Sequence, residues 1–134
     1  MKCKIIFLLR LIAAGILIQT LYFKFTGAPE SIYIFTQVGM EPWGRWFSGV
    51  SELAASILLL VPSTQSLGAL MGAGVMMGAL ASHALILGIV VQNDGGLLFS
   101  LACVVFVACT VVAVLRRDQL HNWIHFAKNL VRQN

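Results

Sequence analysis

Four apolar runs dominate the chain, at residues 5–25, 43–61, 67–91 and 96–115, with short polar interruptions between them. Each is close to or above the roughly 20 residues that an α-helix needs to cross a hydrocarbon core. The pattern predicts an all-α membrane protein, a four transmembrane helix bundle forming one domain over residues 1–134. The runs take up most of the chain, so a soluble catalytic domain or a long linker has no room, and function must reside in the bundle or at its two faces. Between the first two runs, "TGAPESIYIFTQVGMEPWGRW" places Pro29 and Glu30 at a helix start and Gly39 at its stop. This is read as a short helix lying along the outer interface, with Ile32, Phe35 and Val38 available to one face. After Leu115, residues 116–132 carry Leu120, Trp123, Ile124, Ala127, Leu130 and Val131 at the spacing of one helical face. That is the pattern of an amphipathic helix on the cytoplasmic surface, its cations toward anionic lipid at about 1 kcal/mol each when close to the surface.

Composition agrees with the runs. Hydrophobic residues make up 59% of the chain and charged residues 10%, where a soluble domain carries about a quarter charged. Lys2 and Lys4 ahead of an apolar run resemble a secretory signal, but the run is long and Arg10 interrupts it, so the first helix is read as retained. The net charge of +4 is unevenly placed. Lys2, Lys4, Arg10, Arg116, Arg117, Lys128 and Arg132 gather near the two ends, while Glu30, Glu41 and Asp94 fall in the other loops. By the positive-inside rule both termini are expected in the cytoplasm, in a bacterial-type inner membrane, which an even number of spans also requires.

Several motifs are weaker than they look. The third run contains Gly68–Gly72 and Gly74–Gly78 as GxxxG pairs, read first as close packing within the bundle and second as a surface for homo-oligomer contact. His121 and His125 stand four apart but have no third ligand at suitable spacing, so no metal site is expected. Cys3, Cys103 and Cys109 form no CxxC, which disfavours disulfide exchange. No catalytic constellation or nucleic-acid motif is expected either.

The chemistry concentrates in the polar residues inside the runs. Glu52 lies about 14 Å along its helix from Trp43 at 1.5 Å per residue, near the bilayer midplane. Buried ionisable groups at such depth are expensive and are functional-site hypotheses by default. At 100° per residue Arg45, Ser48, Glu52 and Ser56 share a face of the second spanning helix, and Gln19, Tyr22 and Thr26 share a face of the first. Hydrogen-bond partners for Glu52 are expected in the order Ser48 or Ser56, then Gln19, then His83, with Arg45 too far away for direct pairing. The candidate ligand-binding set is Glu52, His83, Gln19, Arg45, Ser48 and Lys24, around a small pocket open to the outer leaflet.

The stretches "LRLIAAGILIQTLYFKFTGAPE", with Arg10, Gly15, Lys24, Gly27 and Pro29, and "GVSELAASILLLVP", with Gly49, Glu52 and Pro62, resemble the DoxX family of small four-helix membrane proteins. The likeness covers roughly residues 5–115, and the basic tail lies outside it. The family is named after a membrane subunit of a thiosulfate:quinone oxidoreductase, and related four-helix proteins include receptor chaperones and cargo receptors. The resemblance therefore implies a subunit that binds a lipid-like or quinone-type ligand or anchors an oxidoreductase partner, or, as the alternative, a membrane-protein assembly factor without small-molecule chemistry. No motif for haem, flavin, an iron–sulfur cluster or nicotinamide is present, so quinone is the one cofactor-like molecule that the resemblance brings in.

Overall fold

The computed structural model describes residues 1–133, which form six α-helices and no strand. Helix α1 spans Lys2–Phe25 and α2 spans Pro29–Val38. Proline at the first turn suits a position whose N–H has no helical partner, and Gly39 ends α2 in the left-handed conformation (φ 77°) that glycine adopts without strain. Helix α3, Trp43–Leu60, stops at Val61, which is extended ahead of Pro62. Helix α4, Gln65–Ser82, continues through a π-helical turn, His83–Leu87, and α5 spans Leu97–Leu115. Helix α6, Arg117–Arg132, follows a break at Arg116.

Three helices are long and apolar enough to cross a membrane: α1, α4 with its π turn, and α5. Helix α3 has 18 residues, but Arg45, Glu52, Ser48, Ser51 and Ser56 dilute its apolar character. The third apolar run was expected to remain helical to Val91; it ends at Leu87, because Gly88 takes a positive φ of 76° and turns the chain away. Helix α2 keeps Phe35 and Val38, two of the three residues expected to share a face, on its inner side. Ile32 is exposed, and Ser31 and Ile34 complete the inner side. The aromatic-rich segment is apolar on both sides, so its content alone could not select one.

The four long helices form a ring in which α1 and α4 each pack against α3 and α5. The dense core lies in the half of the ring that carries the chain termini, where Ala13, Leu17, Ala55, Leu59, Ala69, Val105 and Val112 are almost fully buried. Small residues let the helices approach closely there. A Cβ on Gly68 would lie 2.5 Å from the Leu59 nitrogen and 2.9 Å from the Ala55 oxygen, so α4 rests directly on the α3 backbone. Gly72 is filled by the Cys109 sulfur of α5. Arg10 closes this end: its guanidinium donates to the carbonyls of Leu59 and Leu60, the latter at 2.6 Å. Those groups have no helical partner and carry the negative end of the α3 dipole, which explains a buried cation in an apolar run. Helix α6 is tied to the same end, with Gln119 donating to the Pro62 carbonyl at 2.9 Å and Trp123 to that of Ser63 at 3.2 Å. Its apolar residues Ile124, Phe126, Leu130 and Val131 stay exposed.

Candidate functional site

In the opposite half the ring is hollow. Helix α3 carries Glu52, only 2% exposed, toward α1, where Thr20 and Lys24 stand one turn apart. The Lys24 ammonium lies 2.7 Å from both carboxylate oxygens, Thr20 donates to one of them at 2.8 Å, and Ser48 approaches the other at 3.4 Å. Ser56 donates instead to the Glu52 main-chain carbonyl at 2.7 Å. The carboxylate is thus paired and hydrogen-bonded, the arrangement that makes a charge tolerable at low dielectric. A second pair lies beside it. Arg45, also buried, holds Glu41 at 2.9 Å and donates to the main-chain carbonyl of Lys24. The two ion pairs balance four charges and join α1 to α3 and to the segment preceding α3.

Above Glu52 opens a cavity of about 640 Å³, a size common for ligand pockets, which run from about 300 to 1,000 Å³. Its floor is polar, built from Glu52, Lys24, Thr20 and Ser48, and most of the remaining lining is apolar. Helix α2 lies across its mouth through Ser31, Ile34, Phe35 and Val38. The α4 wall is smooth, because Gly74 and Gly78 line it and a Cβ on either would meet nothing within 4 Å. The two GxxxG pairs therefore face different surroundings, the first packed inside the chain and the second bordering open space.

His83, at the start of the π turn, is 6% exposed and lines the cavity near its mouth. Its Nδ1 lies 2.8 Å from the Gly88 carbonyl, and its ring meets Phe99 edge-on at 5.6 Å between centroids. The π turn brings the ring and that carbonyl together, since the chain reverses at Gly88. Close by, Asp94 organises the start of α5. One carboxylate oxygen accepts from the Val91 and Gly96 N–H groups at 3.0 and 2.8 Å, and the other from Leu98 at 3.0 Å. Burial works to raise its pKa, but these three N–H groups outweigh it and hold the carboxyl below the usual carboxylate range.

A group whose pKa is lower folded than unfolded stabilises the fold fully above its ordinary value and loses that contribution as the pH falls through the folded value. The Gly96 and Leu98 amide resonances should accordingly titrate with a midpoint below the ordinary Asp value of about 3.9. Asp94→Ala should abolish that titration and cost about 1 kcal/mol, as loss of a helix-terminal acceptor does. A midpoint at or above the ordinary value would contradict this geometry.

Of the residues singled out from sequence, Glu52, Lys24, Ser48, Gln19 and His83 line the cavity, whereas Arg45 does not and is engaged with Glu41. Neither Gln19 nor His83 reaches the Glu52 carboxylate, whose partners are Lys24, Thr20 and Ser48. Thr20 was missed because the face of α1 was assigned through Gln19, Tyr22 and Thr26, and Tyr22 is in fact well exposed. The available signal was the i, i+4 spacing of Thr20 and Lys24, a hydroxyl and an ammonium on one stripe of an apolar helix. Among the described residues no three His, Cys, Asp or Glu side chains converge as a metal site would need. Comparison with family models matches residues 5–85 to the one described as DoxX. Comparisons with curated proteins and with solved structures find no significant match.

Proposed function

The chain belongs to the DoxX family of membrane proteins, and from that premise we propose that it is a small bilayer-spanning subunit whose hollow half holds a lipid-like or quinone-type molecule and which anchors an oxidoreductase partner. In this reading α3 is the fourth crossing, its charges neutralised by Lys24 and Glu41 inside the bundle. Both termini are cytoplasmic, α2 lies at the outer interface, and α6 lies on the inner one with its exposed apolar face in the headgroup region. The basic ends of the chain support that orientation. Helix α6 also hydrogen-bonds to the α3–α4 turn, which puts this turn at the same face as the C-terminal helix.

The observation that carries the ligand reading is the cavity itself. It has apolar walls and a polar floor, and its glycine-smoothed side can accept a flat ring or a branched tail. The residues present suit such a molecule: hydroxyls and an ammonium for polar substituents, apolar helix faces for the rest. A quinone would supply two-electron redox chemistry when bound, and the chain's own residues would bind, orient and shield it.

Titrating a short-tailed quinone analogue into the protein in nanodiscs should show saturable binding. Gly78→Leu, which puts a side chain into open space at the wall, should weaken that binding by about tenfold, or about 1.4 kcal/mol. Absence of saturable binding to the unsubstituted protein would remove the ligand reading. One observation favours the alternative, an assembly factor that recognises other membrane segments: Gln19 on α1 is exposed as well as lining the cavity, so its amide is open to hydrogen bonding with another membrane helix. In that case Gln19→Leu would abolish co-purification of a membrane partner while quinone-analogue binding stays absent throughout.

A further inference from the structure

A carbonyl oxygen can only accept a hydrogen bond, so the ring nitrogen that lies 2.8 Å from the Gly88 carbonyl, Nδ1 of His83, carries a proton. In the neutral imidazole that leaves Nε2 as a bare acceptor. This nitrogen makes no hydrogen bond among the described residues, although the side chain is more than nine-tenths buried and lines the cavity. The enclosed side-chain N and O atoms without a partner among the described residues lie elsewhere, at Gln65, Ser66 and Arg116, so Nε2 keeps access to open space beside the cavity that His83 lines and can take a partner there. No hydrogen bond joins it to the floor, where Thr20 and Lys24 bond to Glu52.

We propose that His83 reads the head group of the occupant, accepting through Nε2 a hydrogen bond from a hydroxyl. The ligand class is then an amphiphile with a hydroxyl head and an apolar body, the body lying along the Gly74 and Gly78 wall. A phenol, such as a reduced quinone ring, and an aliphatic alcohol, such as a glycerolipid with a free hydroxyl, share this chemistry. A fully oxidised quinone, which has carbonyls and no donor, does not satisfy Nε2. The inference rests on reading the cavity as a ligand site and adds which head group it selects.

The test uses the full chain in phosphatidylcholine nanodiscs, a lipid without a free hydroxyl in its head group, with 4-decylphenol, its methyl ether and monodecanoylglycerol as probes. 4-Decylphenol should bind up to about tenfold tighter than the ether, the difference one added hydrogen bond makes. His83→Phe keeps an aromatic ring against Phe99 and should bring the two affinities together while the ether's affinity holds, which shows that the fold has survived. Comparing 4-decylphenol with monodecanoylglycerol assigns the hydroxyl to a phenol or an alcohol, and preferred binding of either over the ether supports the proposal. Equal binding of all three by the unsubstituted chain overturns the role of His83 and leaves the ligand site standing. A preference that persists in His83→Phe overturns it as well. No binding of any probe overturns the ligand-site reading, and this inference with it.

A second measurement does not depend on whether the variant folds. In a chain with His121→Gln and His125→Gln, the single remaining imidazole should give nitrogen resonances of the Nδ1–H tautomer. Its Nε2 resonance should move when 4-decylphenol is added and stay in place with the ether. The opposite tautomer, or an unmoved resonance, would refute the proposal.

Discussion

Lys24→Met is expected to destabilise the protein by about 1–3 kcal/mol, and Lys24→Met with Glu52→Gln by less than the sum of the two single changes. Removing the ammonium leaves a carboxylate that is 2% exposed with only Thr20 and a long contact to Ser48. Breaking a fully buried pair in this way costs about 3–5 kcal/mol. The smaller figure applies because Lys24 keeps 14% of its side chain exposed, so the pair lies at the edge of the cavity. Glutamine at 52 still accepts from Thr20 but carries no charge, so it relieves the penalty that the first change creates. Reversible unfolding in mixed micelles, run as a double-mutant cycle, measures the coupling. Additive losses would mean that the Lys24–Glu52 contact contributes nothing beyond its separate parts. The cycle also bears on function: if the pair mainly joins α1 to α3, quinone-analogue binding should follow stability across the four proteins.

Gly68→Ala is expected to destabilise by about 1–3 kcal/mol, the range for overpacking, while Gly78→Ala should be neutral or stabilising by up to about 1 kcal/mol. The two glycines belong to similar motifs in one helix, and only their surroundings separate them. A Cβ at 68 would sit 2.5 Å from the Leu59 nitrogen and 2.7 Å from the Leu58 carbonyl carbon. These are backbone atoms that cannot rotate away, so α3 and α4 would have to move apart along the densest part of the core. At 78 nothing lies within 4 Å, and alanine brings only its better helix propensity. The same unfolding assay distinguishes the sites. Equal losses at both would mean that α4 packs along its whole length, leaving no hollow half.

Much of the architecture is legible along the chain because its causes are local. Apolar runs of membrane length, proline at Pro29 and glycine at Gly39 specify helices and their ends through backbone chemistry that needs no distant partner. Glu52 was legible as the focus of the site for a similar reason, since a carboxylate among aliphatic residues demands compensation wherever they lie. What compensates it was decided only by the tertiary structure. In a membrane helix the bundle interior and the lipid are about equally apolar, so periodicity does not show which way the helix is turned. Helix α1 is rotated so that Thr20 and Lys24 face Glu52, and Tyr22 faces out. The same freedom sends Arg45 to Glu41 and divides four similarly spaced glycines between a packed core and an open wall. The bare nitrogen of His83 depends on a carbonyl five residues ahead that approaches the ring only because the chain turns at Gly88. Sequence alone determined that this is a helical membrane protein with a charge to neutralise at its centre. Helix rotation, which apolar periodicity does not encode, decided where the cavity lies and which atoms face into it.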